Sequence, residues 1–275
     1  MLRNWKPSVS LQATLAVHGI AAVAALSQQG LWPISLGAVA VNHAALTLAG
    51  LLPRSRILGP NMTRLPQVCA DRREIALTLD DGPDPEITPI VLDMLDAACV
   101  KATFFCIGWR ARRHPGICRQ IVMRGHRIEN HGDAHSWAFS TWGPARMKAD
   151  IAAAQATLAD ITGQAPVFFR PTAGLRNPFL EPVLCELGVH LATWTRRGFD
   201  TREGQAHVIL QRLKKNLTAG DILLMHDGNS ALTAEGQPVI LSVLPLLLET
   251  CSSLQLVPVT LAHALHENAI ASTAC

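Results

Sequence analysis

Two adjacent carboxylates end an apolar run in Thr78-Leu79-Asp80-Asp81-Gly82-Pro83. Where a strand turns, neighbouring side chains diverge, so one carboxylate can hold a cation while the other accepts a proton. Further along, His131-Gly132-Asp133-Ala134-His135 sets two imidazoles four residues apart, within reach of one cation if the backbone makes a single turn. Phe169-Arg170-Pro171-Thr172-Ala173-Gly174 supplies an arginine able to orient a carboxylate through paired hydrogen bonds. Ile222-Leu223-Leu224-Met225-His226-Asp227-Gly228 puts a histidine at the mouth of an apolar run, where it can move a proton. Each cluster alone has an ordinary explanation: an acidic turn, a surface histidine pair, a loop ion pair, a satisfied core histidine. Together they form a set. Asp81, His131 and His135 are three donors for a divalent cation, with positions left open for water and substrate. Such a cation brings the pKa of its water toward ~7 and polarises a carbonyl, with Asp80 as candidate base and His226 as candidate acid for an amine leaving group. The donors suit Zn, with Co, Ni and Mn as alternatives.

These residues need a scaffold that collects them. Residues 74–80 read as a strand running into a Gly/Pro loop, and 86–97 as a helix with apolar spacing at Ile90, Leu92 and Leu95. Strands follow at 102–107, 126–129, 167–169, 191–194 and 221–225. Helices fit between them at 115–124, 145–161, 177–187, 206–216 and 239–249. The clearest is 145–161, where Met147, Ile151, Ala154, Leu158 and Ile161 recur at helical spacing and Gly163 follows as a terminator. Alternating strands and helices imply one α/β unit on a parallel sheet, open or closed into a barrel. Such sheets keep their chemistry at the carboxyl ends of the strands, which is where all four clusters fall.

The N-terminal region is different in kind. No Asp, Glu, Lys or Arg occurs between Lys6 and Arg54. Two apolar runs, about 8–26 and 31–52, flank Ser27-Gln28-Gln29-Gly30, and each has the length that crosses a bilayer. They read as a transmembrane helical hairpin, residues 1–60 being a membrane anchor and 61–275 the catalytic domain. Two other readings are open: a signal peptide cleaved near Ala22-Val23-Ala24, and a pair of helices buried in the core. Arg3 and Lys6 precede the hairpin, Arg54, Arg56 and Arg64 follow it, and its turn is uncharged. That bias predicts a two-pass protein of a bacterial inner membrane with its domain facing the cytoplasm; a periplasmic domain is the alternative, if one span inserts. Gln12, His18, Asn42 and His43 are candidates for hydrogen bonds between the spans.

Composition narrows the partners. Hydrophobic residues make up 49% of the 275 and charged ones 16%, below the ~25% usual in soluble domains. The net charge of +3, without any basic run, gives no argument for a nucleic-acid partner. Seven cysteines, an odd number without CxxC spacing, leave at least one thiol unpaired within the chain and favour a reducing compartment. Oligomeric state leaves no trace in the sequence.

TLDDGP, HGDAH, FRPTAG and ILLMHD, in this order and spacing, resemble the five-motif signature of the polysaccharide deacetylases, the NodB-homology or carbohydrate esterase 4 family, over residues 66–262. The resemblance implies a distorted (β/α) barrel with seven strands that hydrolyses N-acetyl, sometimes O-acetyl, groups on sugars. Carried over by position, Asp80 matches the base, and Asp81, His131 and His135 the metal ligands. Arg170 matches the arginine that holds the base. His226 matches the acid, with Ile222 and Leu224 as its apolar pair, and Asp200 matches the aspartate that supports it. Pro171 and Ala173 fall on the substrate-binding loop, where the Ala173 N–H is placed to donate to an oxyanion. Two departures stand out. The usual FRPPYG is FRPTAG here, removing an aromatic wall, and Thr201 follows Asp200 where the family has Trp. With no tyrosine and 5% aromatics, Trp109, Trp137 and Trp142 are the candidate stacking surfaces. The reading implied is a metal-dependent deacetylase of a cell-envelope polysaccharide or lipid-linked glycan, acting at a membrane. The alternatives are a metal-dependent hydrolase of a non-sugar amide or ester, and a non-catalytic membrane-anchored carbohydrate-binding module.

Overall fold

The computed structural model describes residues 3–264. Two helices come first, α1 (Val9–Ser27) and α2 (Trp32–Leu51), packed as a hairpin; both are long and apolar enough to cross a membrane. Most of their large apolar side chains, Leu15, Ile20 and Val41 among them, are exposed, and only a small cluster of Leu46 and Ala49 with Leu58 buries part of α2. Between them Thr14 Oγ1 donates to Asn42 Oδ1 (3.2 Å), and the Nε2 atoms of His18 and His43 lie 3.2 Å apart. Gln12, also expected to bridge the helices, donates instead to the Pro7 carbonyl. The hairpin rests on the rest of the protein: the Arg176 N–H donates to Gly50 O, and Arg3 pairs with Glu181.

The remaining elements are α3 (Gln67–Asp71), β1 (Glu74–Asp80), α4 (Ile87–Ala97), β2 (Thr103–Cys106), α5 (Gly108–Arg113), α6 (Pro115–Met123), β3 (Arg127–Asn130), α7 (Pro144–Thr162), β4 (Phe168–Phe169), α8 (Leu180–Leu187), β5 (His190–Leu191), β6 (Arg196–Arg197), α9 (Ala206–Lys214), β7 (Ile222–His226), α10 (Ile240–Ser253) and β8 (Val257–Val259). Proline opens α6 and α7 at the position where its missing N–H costs nothing. Gly163 ends α7 in the left-handed conformation, φ +69°.

Seven strands pair in parallel along one path, β5-β4-β3-β2-β1-β7-β6. β5 and β6 end that path, yet only residues 192–195 separate them in the chain, so the sheet must curl until its edges approach. β8 supplements it: the Val257 N–H donates to Arg73 O while the Gly220 N–H donates to Glu74 O, which puts β8 and β7 on opposite sides of β1. The seven-stranded curled α/β sheet read from the sequence is therefore present. β6 and β8 went unforeseen because neither carries an apolar pattern long enough to mark it. The strand expected at 191–194 pairs with β4 through His190–Leu191, and Ala192 continues it only as a lone bridge to Met62.

Alternation along the strands decides which side chains share the interior. On β1, Ile75, Leu77 and Leu79 pack outward in the cluster that includes Leu92 and Leu95 of α4 and Leu244 of α10. Ala76 joins an inner cluster with Phe105, Phe168, Trp194, Ile222 and Leu224. On β7, Leu223 and Met225 belong to the outer cluster and Ile222 and Leu224 to the inner one. The period of two thus carries Thr78 and Asp80, and His226 across from them, to the inner side.

Candidate active site

Asp80 and His226 end their strands in register, each the last residue of β1 and β7. β3 delivers Asn130 and then His131, and β4 delivers Arg170. Parallel pairing places all these strand ends at one rim, although they lie far apart in sequence. The four clusters meet there.

Arg170 is the largest fully buried side chain of the described residues. Its Nη1 donates to Asp80 Oδ1 (2.6 Å) and Thr78 Oγ1 (2.9 Å), its Nε to Ala192 O (3.1 Å) and its Nη2 to Thr193 O (2.7 Å). The guanidinium also lies over the Phe105 ring, 3.9 Å from its centre. Asp80 is therefore held by Oδ1, leaving Oδ2 for any proton it accepts. Breaking a buried ion pair leaves an uncompensated charge, so Arg170→Met should lower folding stability by about 3–5 kcal/mol; a denaturant titration checks this, and a loss under about 1 kcal/mol would mean that Asp80 finds another partner.

Asp81 adopts φ +75°, and both carboxylates approach His131 Nε2, Asp80 Oδ2 at 3.8 Å and Asp81 Oδ1 closer. Asp81 Oδ1 lies 3.2 Å from His131 Nε2 and 2.9 Å from His135 Nε2, and its Oδ2 accepts from Asn229 Nδ2 (3.0 Å). Burial would raise this carboxyl, but the two imidazoles against it hold it well below the usual carboxylate range. His131 Nδ1 is 2.7 Å from the Arg170 carbonyl. A carbonyl can only accept, so that proton sits on Nδ1 and the Nε2 lone pair faces Asp81 and the cleft. One donor atom from each of Asp81, His131 and His135 lies within 4.8 Å of the other two. One carboxylate oxygen and two imidazole nitrogens gathered so closely, one imidazole tied at its far nitrogen, fit a single divalent cation.

A second layer shapes the histidine loop. Asp150 on α7 accepts from the N–H groups of Asp133 (3.1 Å) and Ala134 (2.9 Å), and Asn130 Oδ1 accepts from the Gly132 N–H (2.8 Å). Gly132 has φ +79°, and a Cβ there would lie 2.7 Å from Asp150 Oδ2, so both conformation and space require glycine. Asp150→Ala should weaken metal affinity by roughly 10–100-fold while sparing the three donors, as a zinc titration with a chromogenic chelator would read; unchanged affinity would show that the loop holds its shape without Asp150.

His226 is fixed in the same manner as His131. Its Nδ1 lies 2.9 Å from Asp200 Oδ1, and its backbone N–H donates to Asp200 Oδ2 (2.8 Å). Nδ1 carries the proton shared with that carboxylate, which leaves Nε2 for the cleft. Burial works against the charged ring, but the Asp200 carboxylate outweighs it and pushes the pKa up to about 9. Raised above the ordinary 6.5, this group adds stability that is complete below pH about 6.5 and is lost as pH climbs through about 9. Asp200→Asn removes the counter-charge, so the His226 titration followed by NMR should fall by a unit or more; a midpoint still near 9 would mean that Asp80 and Asp81 set the value.

The cleft above these groups encloses about 380 Å³. Ala173, at φ +56°, and Leu224 line it, together with Thr201. Pro171 and Ile222 are buried outside that lining, Ile222 in the inner cluster two residues before Leu224. Of the three tryptophans expected to offer stacking surfaces, only Trp137 lines the cleft, 72% exposed. Trp142 is buried between Phe139 and Arg146, and Trp109 packs against Arg110 and Arg113. The other indole of the lining is Trp194, which follows β5 and went unrecognised as a site residue. A Cβ on Gly174 would come within 2.6 Å of that ring, so the glycine of the FRPTAG loop makes room for Trp194. Asn229 and Arg197 were missed as well; neither belongs to an apolar strand end, the signal that found the others.

The chain has relatives among known proteins. Residues 67–192 match the family model described as polysaccharide deacetylase. The chain is 34% identical over 166 residues to a peptidoglycan-N-acetylglucosamine deacetylase of Bacillus cereus, covering 60% of this chain and 77% of that protein. It is 31% identical over 163 residues to a chitooligosaccharide deacetylase of Azorhizobium caulinodans, covering 59% and 77%. Among solved structures, a peptidoglycan N-acetylglucosamine deacetylase in complex with a small molecule superposes with TM-score 0.66 at 28% identity, covering 74% of this chain and 92% of that one.

Proposed function

Because the chain belongs to the polysaccharide deacetylase family, whose named relatives are hydrolases acting on carbon–nitrogen bonds, we propose that it is a metal-dependent N-deacetylase of an acetylated sugar at a membrane. The observation that carries this reading is the joining of three metal donors to two proton-transfer groups in one cleft, each group held at one atom and free at another. Asp81, His131 and His135 hold the cation, which we assign as zinc. A cation held there supplies Lewis acidity to a water and to the acetyl carbonyl.

The remaining work falls to the chain's own residues. Asp80 takes a proton from the attacking water at Oδ2, while Arg170 keeps Oδ1 in place. His226, charged at neutral pH through Asp200, gives a proton from Nε2 to the departing amine. The Ala173 N–H donates to the developing oxyanion, and Leu224, Thr201 and Trp194 shape the space for the sugar. Pro171 and Ile222 then act from behind the lining, by placing Ala173 and Leu224.

α1 and α2 we read as a two-pass anchor of a bacterial inner membrane. What supports it is their length, their exposed apolar faces and the cations on both flanks of an uncharged turn. The same charge bias favours a cytoplasmic domain, and six free cysteines among the described residues suit a reducing compartment.

The test is acetate release by the full chain in detergent micelles, zinc-loaded, from an N-acetylglucosamine oligomer and from N-acetylglucosamine carried on a prenyl diphosphate. Release that stops on chelation and returns with zinc is the expected result. A zinc-loaded protein that frees no acetate from either would overturn the reading.

A further inference from the structure

A second concavity adjoins the cleft and shares two of its walls, Trp194 and Arg197. It encloses about 420 Å³, and its charged lining is Arg54, Arg196, Arg197, Arg212 and Lys215, with no carboxylate among them. Five acidic side chains nearby are already engaged, among them Asp80 with Arg170 and Asp81 with His131 and His135. Asp221 pairs with Arg64 and Arg196, Glu203 with Arg212, and Asp200 with His226.

Not all the cations are so matched. Arg54 donates once, to the Thr195 carbonyl. Arg197 packs its guanidinium over the Trp194 and Phe199 rings, 5.2 and 4.5 Å from their centres, and its Nε is buried without a hydrogen-bond partner. Among the described residues, Arg197 and Lys215 make no side-chain hydrogen bond or ion pair, and neither does Arg202 at the edge of the cleft. A partly desolvated guanidinium with an orphaned donor is costly unless an acceptor arrives. Burial also pulls Arg197 below the usual guanidinium range, which an arriving anion would reverse.

We propose that this groove binds a phosphate or diphosphate carried by the substrate, so that the acetylated sugar is a sugar phosphate whose ring lies in the cleft and whose anion lies against Arg197, Arg54 and Lys215. The inference rests on the deacetylase reading and specifies its substrate. A single carboxylate would be matched by one arginine, whereas several unmatched cations around one groove suit a multiply charged group. Position adds to this. Arg54 lies in the turn that directly follows α2, which ends at Leu51, so the groove opens beside the end of the hairpin. A diphosphate tethered to a lipid would reach it from a bilayer surface; a soluble sugar nucleotide presents the same chemistry from solution.

Arg54 and Lys215 are exposed and lie outside the catalytic cleft, so the double variant Arg54→Gln/Lys215→Gln should fold. Inorganic diphosphate titrated calorimetrically into the zinc-loaded full chain in micelles should bind about tenfold more weakly to that variant, each lost contact being charge-assisted. No binding, or equal binding by both proteins, overturns the groove. Acetate release would then be compared on prenyl-diphosphate N-acetylglucosamine, uridine-diphosphate N-acetylglucosamine and an N-acetylglucosamine tetramer. The phosphorylated sugars should lead the tetramer by about tenfold in kcat/KM, and the double variant should lose that lead. A lead for the prenyl substrate alone identifies the lipid source, and equal rates on the two phosphorylated sugars identify the soluble one. A tetramer used as well as either overturns this inference and leaves the deacetylase reading standing. Diphosphate binding without acetate from any of the three keeps the groove and removes the deacetylase.

Discussion

Asp80→Asn lowers kcat for acetate release by roughly 10²–10⁴-fold, the usual worth of a positioned base, and leaves the zinc content at its original value. Asparagine keeps the shape of the side chain and can still accept from Arg170, so the geometry at Oδ1 survives. What disappears is the lone pair that takes the proton. The substitution also removes the negative charge beside a fully buried guanidinium, so the variant should be less stable by a few kcal/mol. The comparison therefore belongs at a temperature well below the melting of both proteins. A variant that retains more than a tenth of the wild-type kcat would show that the proton goes elsewhere.

His131→Ala removes the metal itself. Elemental analysis of the purified chain should find zinc falling from about one ion per protein to a small fraction of that. The loss should exceed the roughly 100-fold that bounds most outer-layer substitutions. The two classes can be told apart by saturation. Asp150→Ala regains activity when zinc is raised, because its three donors remain, whereas His131→Ala does not, because a carboxylate and one imidazole hold zinc poorly. Because His131 also bonds the carbonyl of Arg170, the substitution should loosen the strand end that carries the arginine. A His131→Ala protein that still binds one zinc with undiminished affinity would place the metal elsewhere.

Both expectations, like the pH dependence of His226, concern residues that were legible before any coordinates. The reason is local. In a parallel sheet each strand delivers its own last residues to the same rim, so an apolar run followed by Asp, His or Arg announces a rim position without reference to the rest of the fold. β1 illustrates this: Glu74–Asp80 is both the stretch read as a strand and the stretch that pairs. The hairpin was legible for a similar reason, since a long uncharged run needs no partner to be recognised.

The residues that were not legible depend on distances through space. Asp150 sits on the polar face of α7, where its neighbours in sequence mark it as an ordinary exposed position. Only the fold of the 131–135 loop brings two N–H groups onto its carboxylate. Asn229 is fixed by Arg110 from α5 and by Asp81 from the end of β1, three segments with no common pattern. Trp142, expected as a stacking surface, packs in the core against Phe139, while Trp194, not singled out in the sequence, lines the cleft from the inner cluster, because an indole suits either place and only its neighbours decide. Arg197 looks in sequence like one of many surface arginines. Its pairing on β6, with its guanidinium laid over Trp194 and its Nε left without an acceptor, is a property of the curled sheet alone.

The candidate metal donors and proton carriers were thus legible at strand ends, Asp80 and His226 closing the apolar runs of β1 and β7 and His131 following the mixed strand β3. Which face of the cleft is aromatic, which is cationic and which loops hold the donors in place was decided only when the curled sheet brought β5 and β6 together. Those properties come from side chains that meet across the fold, and spacing along one chain carries no record of such meetings.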